Sequence, residues 1–356
     1  MASAARCSTR TPTPARTVRR RRRCRSSSAP TAPARILAAE SGGRALGIAA
    51  GALVGAGVVT AAYATLVERT AFRVRHETVR VLPPGSAPIR VLHLSDQHLA
   101  PWQRGKVEWL RSLASLEPDL VVSTGDALGH RDAIPALARS LEPLRGIPGV
   151  FVHGSNDLYG PVMKNPTRYL LGPSSKRLAP REPDLDTAAL EAVYADLGWL
   201  DLDNHARALE IAGTRLELFG THDAHHGWDR LGDMRDELAA LRERADWSPT
   251  TRGPVAIGVT HAPYRRILDA LVAGGAEVLF AGHTHGGQVR IPGGHALVAN
   301  CDIPLEQASG LSTWEHAGAT AALEVSQGIG TSIYAPFRLG TPPEAVLVSL
   351  EARAIG

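Results

Sequence analysis

Three absences narrow the chemistry open to this 356-residue chain. Cysteine is scarce: Cys7, Cys24 and Cys301 are the whole complement, and only Cys301 lies beyond the first 44 residues. No disulfide can form within the remainder, and metal-thiolate chemistry has no ligand set there. Two common catalytic signatures are missing as well. No Walker-type glycine-rich loop is present to cradle phosphates, and no Gly-x-Ser-x-Gly presents a nucleophilic serine. The third absence is of basic charge in most of the chain. The formal net charge is +4, but residues 1–44 hold eleven arginines against Glu40 alone, or +10, which leaves −6 for the rest. A mildly acidic domain has no broad basic face to neutralise nucleic-acid phosphates, so no nucleic-acid partner is expected.

What is present falls into four stretches. Residues 1–44 are Arg, Ser, Pro, Ala and Thr with almost no large apolar side chains, so burial cannot offset the entropy of ordering them; a disordered tail is expected. Residues 45–67 contain no charge, and 23 residues at helical rise cross a hydrocarbon layer of ~30 Å. A transmembrane helix is predicted here. The small-x-small form of Ala62-Tyr63-Ala64 leaves a cleaved signal peptide as the alternative, against which the long leader and long apolar run argue. Arg19 to Arg23 and Arg25 place the N-terminus in the cytoplasm and the rest outside the cell membrane, although Arg69, Arg73, Arg75 and Arg80 oppose this more weakly. Gly47, Gly51 and Gly55 share one helix face and could admit a second copy of the helix as a homodimer. Residues 68–88, ending in Pro83-Pro84-Gly85, read as a juxtamembrane linker, and 89–356 as the folded domain.

Within that domain, short β-branched runs at 89–94, 120–123, 150–152, 216–219, 255–259, 278–281 and 345–350 predict strands. Helical spacing at 107–116 and 133–144 alternates with the early ones. This pattern implies an α/β core with helices on both faces, and functional residues in loops at the carboxyl ends of strands.

Those ends carry the candidate residues. The first run leads into Asp96-Gln97-His98; residues two apart in extended chain point the same way and can chelate one ion. Alone, such a pair is more often an N-cap and a surface histidine. The second run delivers Gly125-Asp126, the fifth His261, and the sixth Gly282-His283-Thr284-His285-Gly286-Gly287-Gln288. Packing gives no reason for two imidazoles between glycines after a buried strand, and metal ligation does.

Taken in order, Asp96-x-His98, Gly125-Asp126, His261 and Gly282-His283-x-His285 resemble the signature of calcineurin-like metallophosphoesterases. The single N-terminal helix and His285-Gly286-Gly287-Gln288 resemble the membrane-anchored bacterial branch of that family. The resemblance covers nearly all of 89–356. It implies an α/β/β/α sandwich and a phosphoric ester hydrolase with two metal ions. Asp96, His98, Asp126 and His285 would hold the first ion. Asp126, bridging, would share the second with His261 and His283. Carboxylate and imidazole ligands suit Mn, Fe or Zn.

One block departs from the family. Where Gly-Asn-His-Asp/Glu is usual, this chain has Gly154-Ser155-Asn156-Asp157. Aligned without a gap, Ser155 stands at the ligand; alternatively Asn156 swings in, an amide oxygen being the better neutral donor. In both alignments the histidine that assists the leaving group is missing. His225 and His222, in Thr221-His222-Asp223-Ala224-His225-His226, are candidates to replace it, a surface cluster being the plainer reading. The anchor suggests a phosphodiesterase acting on a phospholipid-like or envelope phosphate ester. The missing histidine suggests the alternative of a weakened metal-binding domain with a regulatory role.

Overall fold

The structure, a computed structural model, describes residues 37–163, 181–244, 252–290 and 294–354. Residues 1–36 of the expected disordered tail lie outside them, and 37–44, also expected in that tail, are helical. The chain divides after Gly55, within helix α1 (Leu37–Ala62). The stretch Ile48–Thr70 is long and apolar enough to cross a membrane, and only 6% of it is buried.

From Ala56 onward the chain builds two six-stranded sheets. The first has the order β1 (Arg73–Leu82), β12 (Glu344–Ala352), β2 (Ile89–Leu94), β3 (Leu120–Ser123), β4 (Gly149–Phe151) and β5 (Trp199–Asp201). The second runs β10 (Gly310–His316), β11 (Ala319–Val325), β9 (Val278–Ala281), β8 (Arg252–Thr260), β7 (Thr214–Thr221) and β6 (Ala206–Ile211). The alternating direction of side chains along a strand sorts each run onto two apolar faces. In β2, Ile89 and Val91 join Val122, Val150, Ile257, Val278 and Phe280 between the sheets, whereas Leu92 and Leu94 face outward. The outward face of the first sheet is covered by α2 (Arg104–Ser112), α3 (Ile134–Leu141) and α4 (Thr187–Leu197). The second is covered by α5 (Leu231–Glu243) and α6 (Arg265–Ala273). The result is the expected α/β/β/α sandwich, with a buried layer on each side of both sheets.

One stretch differs from its sequence reading. Residues expected to be a linker between 68 and 88 include β1, which pairs in parallel with β12 along the edge of the first sheet. Two of its arginines, Arg73 and Arg75, have buried partners. Arg75 donates to Glu324 of β11 in the opposite sheet and, at 3.0 Å, to Glu344 of β12; both carboxylates are fully buried. Arg73 adds a second bond to Glu344 at 2.9 Å.

Parallel pairing of β2, β3 and β4, and of β7, β8 and β9, brings six strand ends to one margin of the sandwich. All the sequence candidates leave the sheets there.

Candidate metal centre

The loops after β2, β3 and β9 are held in an unusual backbone. Asp96, His98, Asp126, His283 and His285 all have positive φ, between 40° and 67°. Left-handed conformation costs a non-glycine residue on the order of 1–3 kcal/mol, and such residues concentrate where geometry serves function. Here the strain turns five polar side chains inward at once.

Asp126 occupies the middle. Its Oδ2 lies 3.5 Å from His98 Nε2 and 3.6 Å from His261 Nε2. On one side, His98 Nε2 and His285 Nε2 face each other at 3.1 Å, and Asp96 Oδ1 is 3.5 Å from His285 Nε2. On the other, His283 Nδ1 and His261 Nε2 are 3.3 Å apart. The Asn156 amide closes that side, its N–H groups donating to Asp126 Oδ1 from the backbone at 2.8 Å and Oδ2 from the side chain at 2.6 Å. Asn156, rather than Ser155, therefore has its side chain against Asp126.

Two glycines permit this closeness. A Cβ on Gly154 would strike Asp126 Oδ1 and come within 2.7 Å of the His261 ring; one on Gly282 would collide with Ser95 Oγ and approach Asp96 Oδ2 to 2.5 Å.

Surrounding groups fix the ligand orientations. His261 Nδ1 donates to the Thr124 carbonyl at 2.7 Å, leaving Nε2 with its lone pair toward Asp126. His283 Nε2 is 3.3 Å from the Asn300 carbonyl, leaving Nδ1 toward His261. Asp157, fully buried, accepts N–H groups of Asp126, Ala127, Leu128 and Gly154, at 2.7 to 3.2 Å, and so locks the β3 loop to the β4 loop. Arg338, also fully buried, donates to the carbonyls of Gln327, Gly328, Gly330 and Thr341 and packs 3.2 Å from His285 Nδ1. The sequence reading gave neither residue a role. Asp157 entered only as the last residue of the departing block, and Arg338, in a loop without motif, carries no local signal at all.

A calcineurin-like phosphoesterase family profile matches residues 89–287, more than half of the chain. The chain belongs to this family. Several solved structures are similar at a low level. TT1561 of Thermus thermophilus is 11% identical over 68% of this chain and 92% of its own, with a TM-score of 0.38. A dimetal phosphatase from Danio rerio is 13% identical over 67% and 87%, with a TM-score of 0.34. Purple acid phosphatase PPD1 of yellow lupin is 16% identical over 57% and 39%, with a TM-score of 0.35. No curated protein matches.

Members of the calcineurin-like phosphoesterase family are typically dimetal hydrolases, and this margin fits two divalent cations. Asp96 Oδ1 is buried without a hydrogen-bond partner, within reach of two imidazole nitrogens. Asp96-His98-His285 and Asp96-Asp126-His261 each converge closely enough to hold an ion. Burial lowers the His98 and His283 pKa values, to about 4 and about 3, and that of His285 well below the usual range, favouring the neutral, ligating form. Burial would do the same to His261, but Asp126, Asp223 and Asp96 together raise it to about 9. Three carboxylates thus act on one ring, an arrangement that a bound cation would offset.

His225 and His222 part company in the fold. The His225 ring lies 4.5 Å from that of His283, centroid to centroid, and its Nδ1 is 3.0 Å from the Tyr264 hydroxyl. His222 turns away: its Nε2 is 3.7 Å from Asp203, the carboxylate that also holds His153 Nδ1 at 2.7 Å. Beneath this loop sits Asp223, buried, with Oδ1 accepting the His225 N–H and Oδ2 unpartnered.

Proposed function

We propose that this phosphoesterase cleaves phosphate diesters at a membrane surface. In this reading Asp96, His98, Asp126 and His285 hold one ion, and Asp126, Asn156, His261 and His283 the other. The observation that carries it is Asp126 Oδ2, placed 3.5 and 3.6 Å from one imidazole of each set, where a single carboxylate oxygen serves both halves. Two bound cations of this kind lower the pKa of a water, orient it in line with phosphorus and neutralise the phosphoryl oxygens; Mn, Fe or Zn suits the donors. The protein's own part is to hold those donors rigidly, through Asp157 and Arg338, and to supply a proton to the departing oxygen. His225 is the candidate for that proton because it stands beside His283 with Tyr264 at its Nδ1; His222 is engaged elsewhere.

The helix supports membrane anchoring, with the N-terminus cytoplasmic and the catalytic domain outside, as in the membrane-anchored bacterial branch. Gly51 and Gly55 have open space where a second helix could pack.

The test is turnover of an aryl phosphodiester by the full chain in detergent, with Mn, Fe or Zn added and metal content measured alongside. Turnover that requires metal supports the reading. Bound metal without turnover under any of the three would replace it with a metal-stabilised binding domain, to which the missing histidine also points.

A further inference from the structure

The apolar helix does not end in free chain. The Ala64 carbonyl accepts the Arg338 N–H at 3.1 Å, Glu68, itself buried, accepts the Thr341 N–H at 2.7 Å, and the Arg73 N–H reaches the Pro343 carbonyl at 3.0 Å. The exit of the helix is thus zipped to the loop whose Arg338 braces His285. The same Arg338 bonds the Gly330 carbonyl, and the Gly330 N–H donates to the Asp96 carbonyl at 2.6 Å, next to the loop that leads from Asp96 to α2. Lys106 of α2 lies within electrostatic reach of Arg69 and Arg338, and Trp109 of α2 stacks on Phe72 at 5.0 Å. Segments 63–67, 97–106 and 331–338 therefore meet at the half of the margin formed by Asp96, His98 and His285.

These segments expose an unusual set of side chains: Tyr63, Leu66 and Val67 at the helix exit, Trp102 before α2, and Tyr334 before Arg338. Tryptophan and tyrosine favour the headgroup layer, where the ring body is apolar and the polar tip stays wet. A helix exit bonded to the site leaves no spacer by which the mouth could stand clear of the bilayer.

We infer that this aromatic rim rests in the interface of the same bilayer that the helix crosses, so that the catalytic margin opens onto lipid headgroups and takes a phosphodiester carried by a lipid of that leaflet. The inference rests on the proposed diester cleavage for its chemistry, and on the rim alone for its geometry.

The test uses the full chain in phosphatidylcholine vesicles containing phosphatidylglycerol, with and without bromine on the acyl chains. None of the six tryptophans lies in the apolar helix, so bromine quenching reports the domain. Wild type is expected to be quenched and Trp102→Phe to lose most of that quenching; equal quenching of the two overturns the inference. A double variant, Trp102→Ser with Tyr334→Ser, is expected to hydrolyse vesicle phosphatidylglycerol about tenfold more slowly while keeping its rate on a dissolved aryl phosphodiester. Equal losses on both substrates also overturn it. Quenching at Trp102 with neither substrate hydrolysed would instead uphold the docking and remove the diesterase reading.

Discussion

Asp126 is held from two loops: its N–H by Asp157, and its two oxygens by both N–H groups of Asn156, between the rings of His98 and His261. A carboxylate serving two coordination spheres weakens both when neutralised, so Asp126→Asn should lose more bound metal than His98→Ala. Metal per chain, measured on the purified variants, decides this; equal losses would remove the bridging assignment. At the neighbouring loop the Asn156 side chain turns to Asp126, and the block Gly154-Ser155-Asn156-Asp157 holds no histidine to serve the leaving group. General acid assistance is worth ~10²–10⁴ in rate and matters most for poor leaving groups. With His225 as donor, the dependence of rate on leaving-group pKa is expected to be shallow in the wild type and steep in His225→Ala, while His222→Ala stays shallow. A shallow dependence surviving in His225→Ala would show that the proton comes from elsewhere.

At the scale of elements, the two sheets are joined by charge as well as by their apolar layer. Arg75 on β1 serves Glu324 on β11 and Glu344 on β12, and removing one partner of a buried ion cluster typically costs ~3–5 kcal/mol because the remaining charges stay buried. Arg75→Met is therefore expected to destabilise the domain by about that amount in denaturant unfolding, and Arg73→Met, whose partially exposed side chain makes a single contact, by much less. A second junction is pH-sensitive. Burial lowers the His153 pKa, but the hydrogen bond and charge of Asp203, next to β5, more than reverse this, raising it from 6.5 to about 9. A raised histidine stabilises the fold fully below its unfolded value near 6.5, and the contribution disappears as pH climbs through about 9. Thermal melts of wild type should lose stability across that window. In Asp203→Asn the loss should flatten, from a lower starting stability.

For the whole molecule, the arginine excess before the apolar helix predicts a catalytic domain outside the cell. Protease added to intact cells should then degrade the domain; cleavage seen only after lysis would reverse the orientation. The layered architecture was legible in the chain because burial on both faces of a parallel strand demands continuous β-branched runs, and these occur at 89–94, 120–123 and 278–281 just where β2, β3 and β9 form. The Asp and His candidates were legible because metal chemistry restricts the side chains that can follow such strands. Three things were not. β1 looked like a linker, since its arginines find their counter-charges on β11 and β12, more than 240 residues away in sequence. Asp157 and Arg338 act through backbone groups of other loops, and a backbone N–H or carbonyl leaves no trace in residue type. His225 and His222, three residues apart in one motif, were separated only when folding set one beside His283 and the other beside Asp203. Local composition determined the layers and the kinds of ligand, because burial and coordination each select residue types. Which ligands converge, which histidine reaches them and where the helix ends relative to them depended on contacts distant in sequence, which the tertiary structure alone decides.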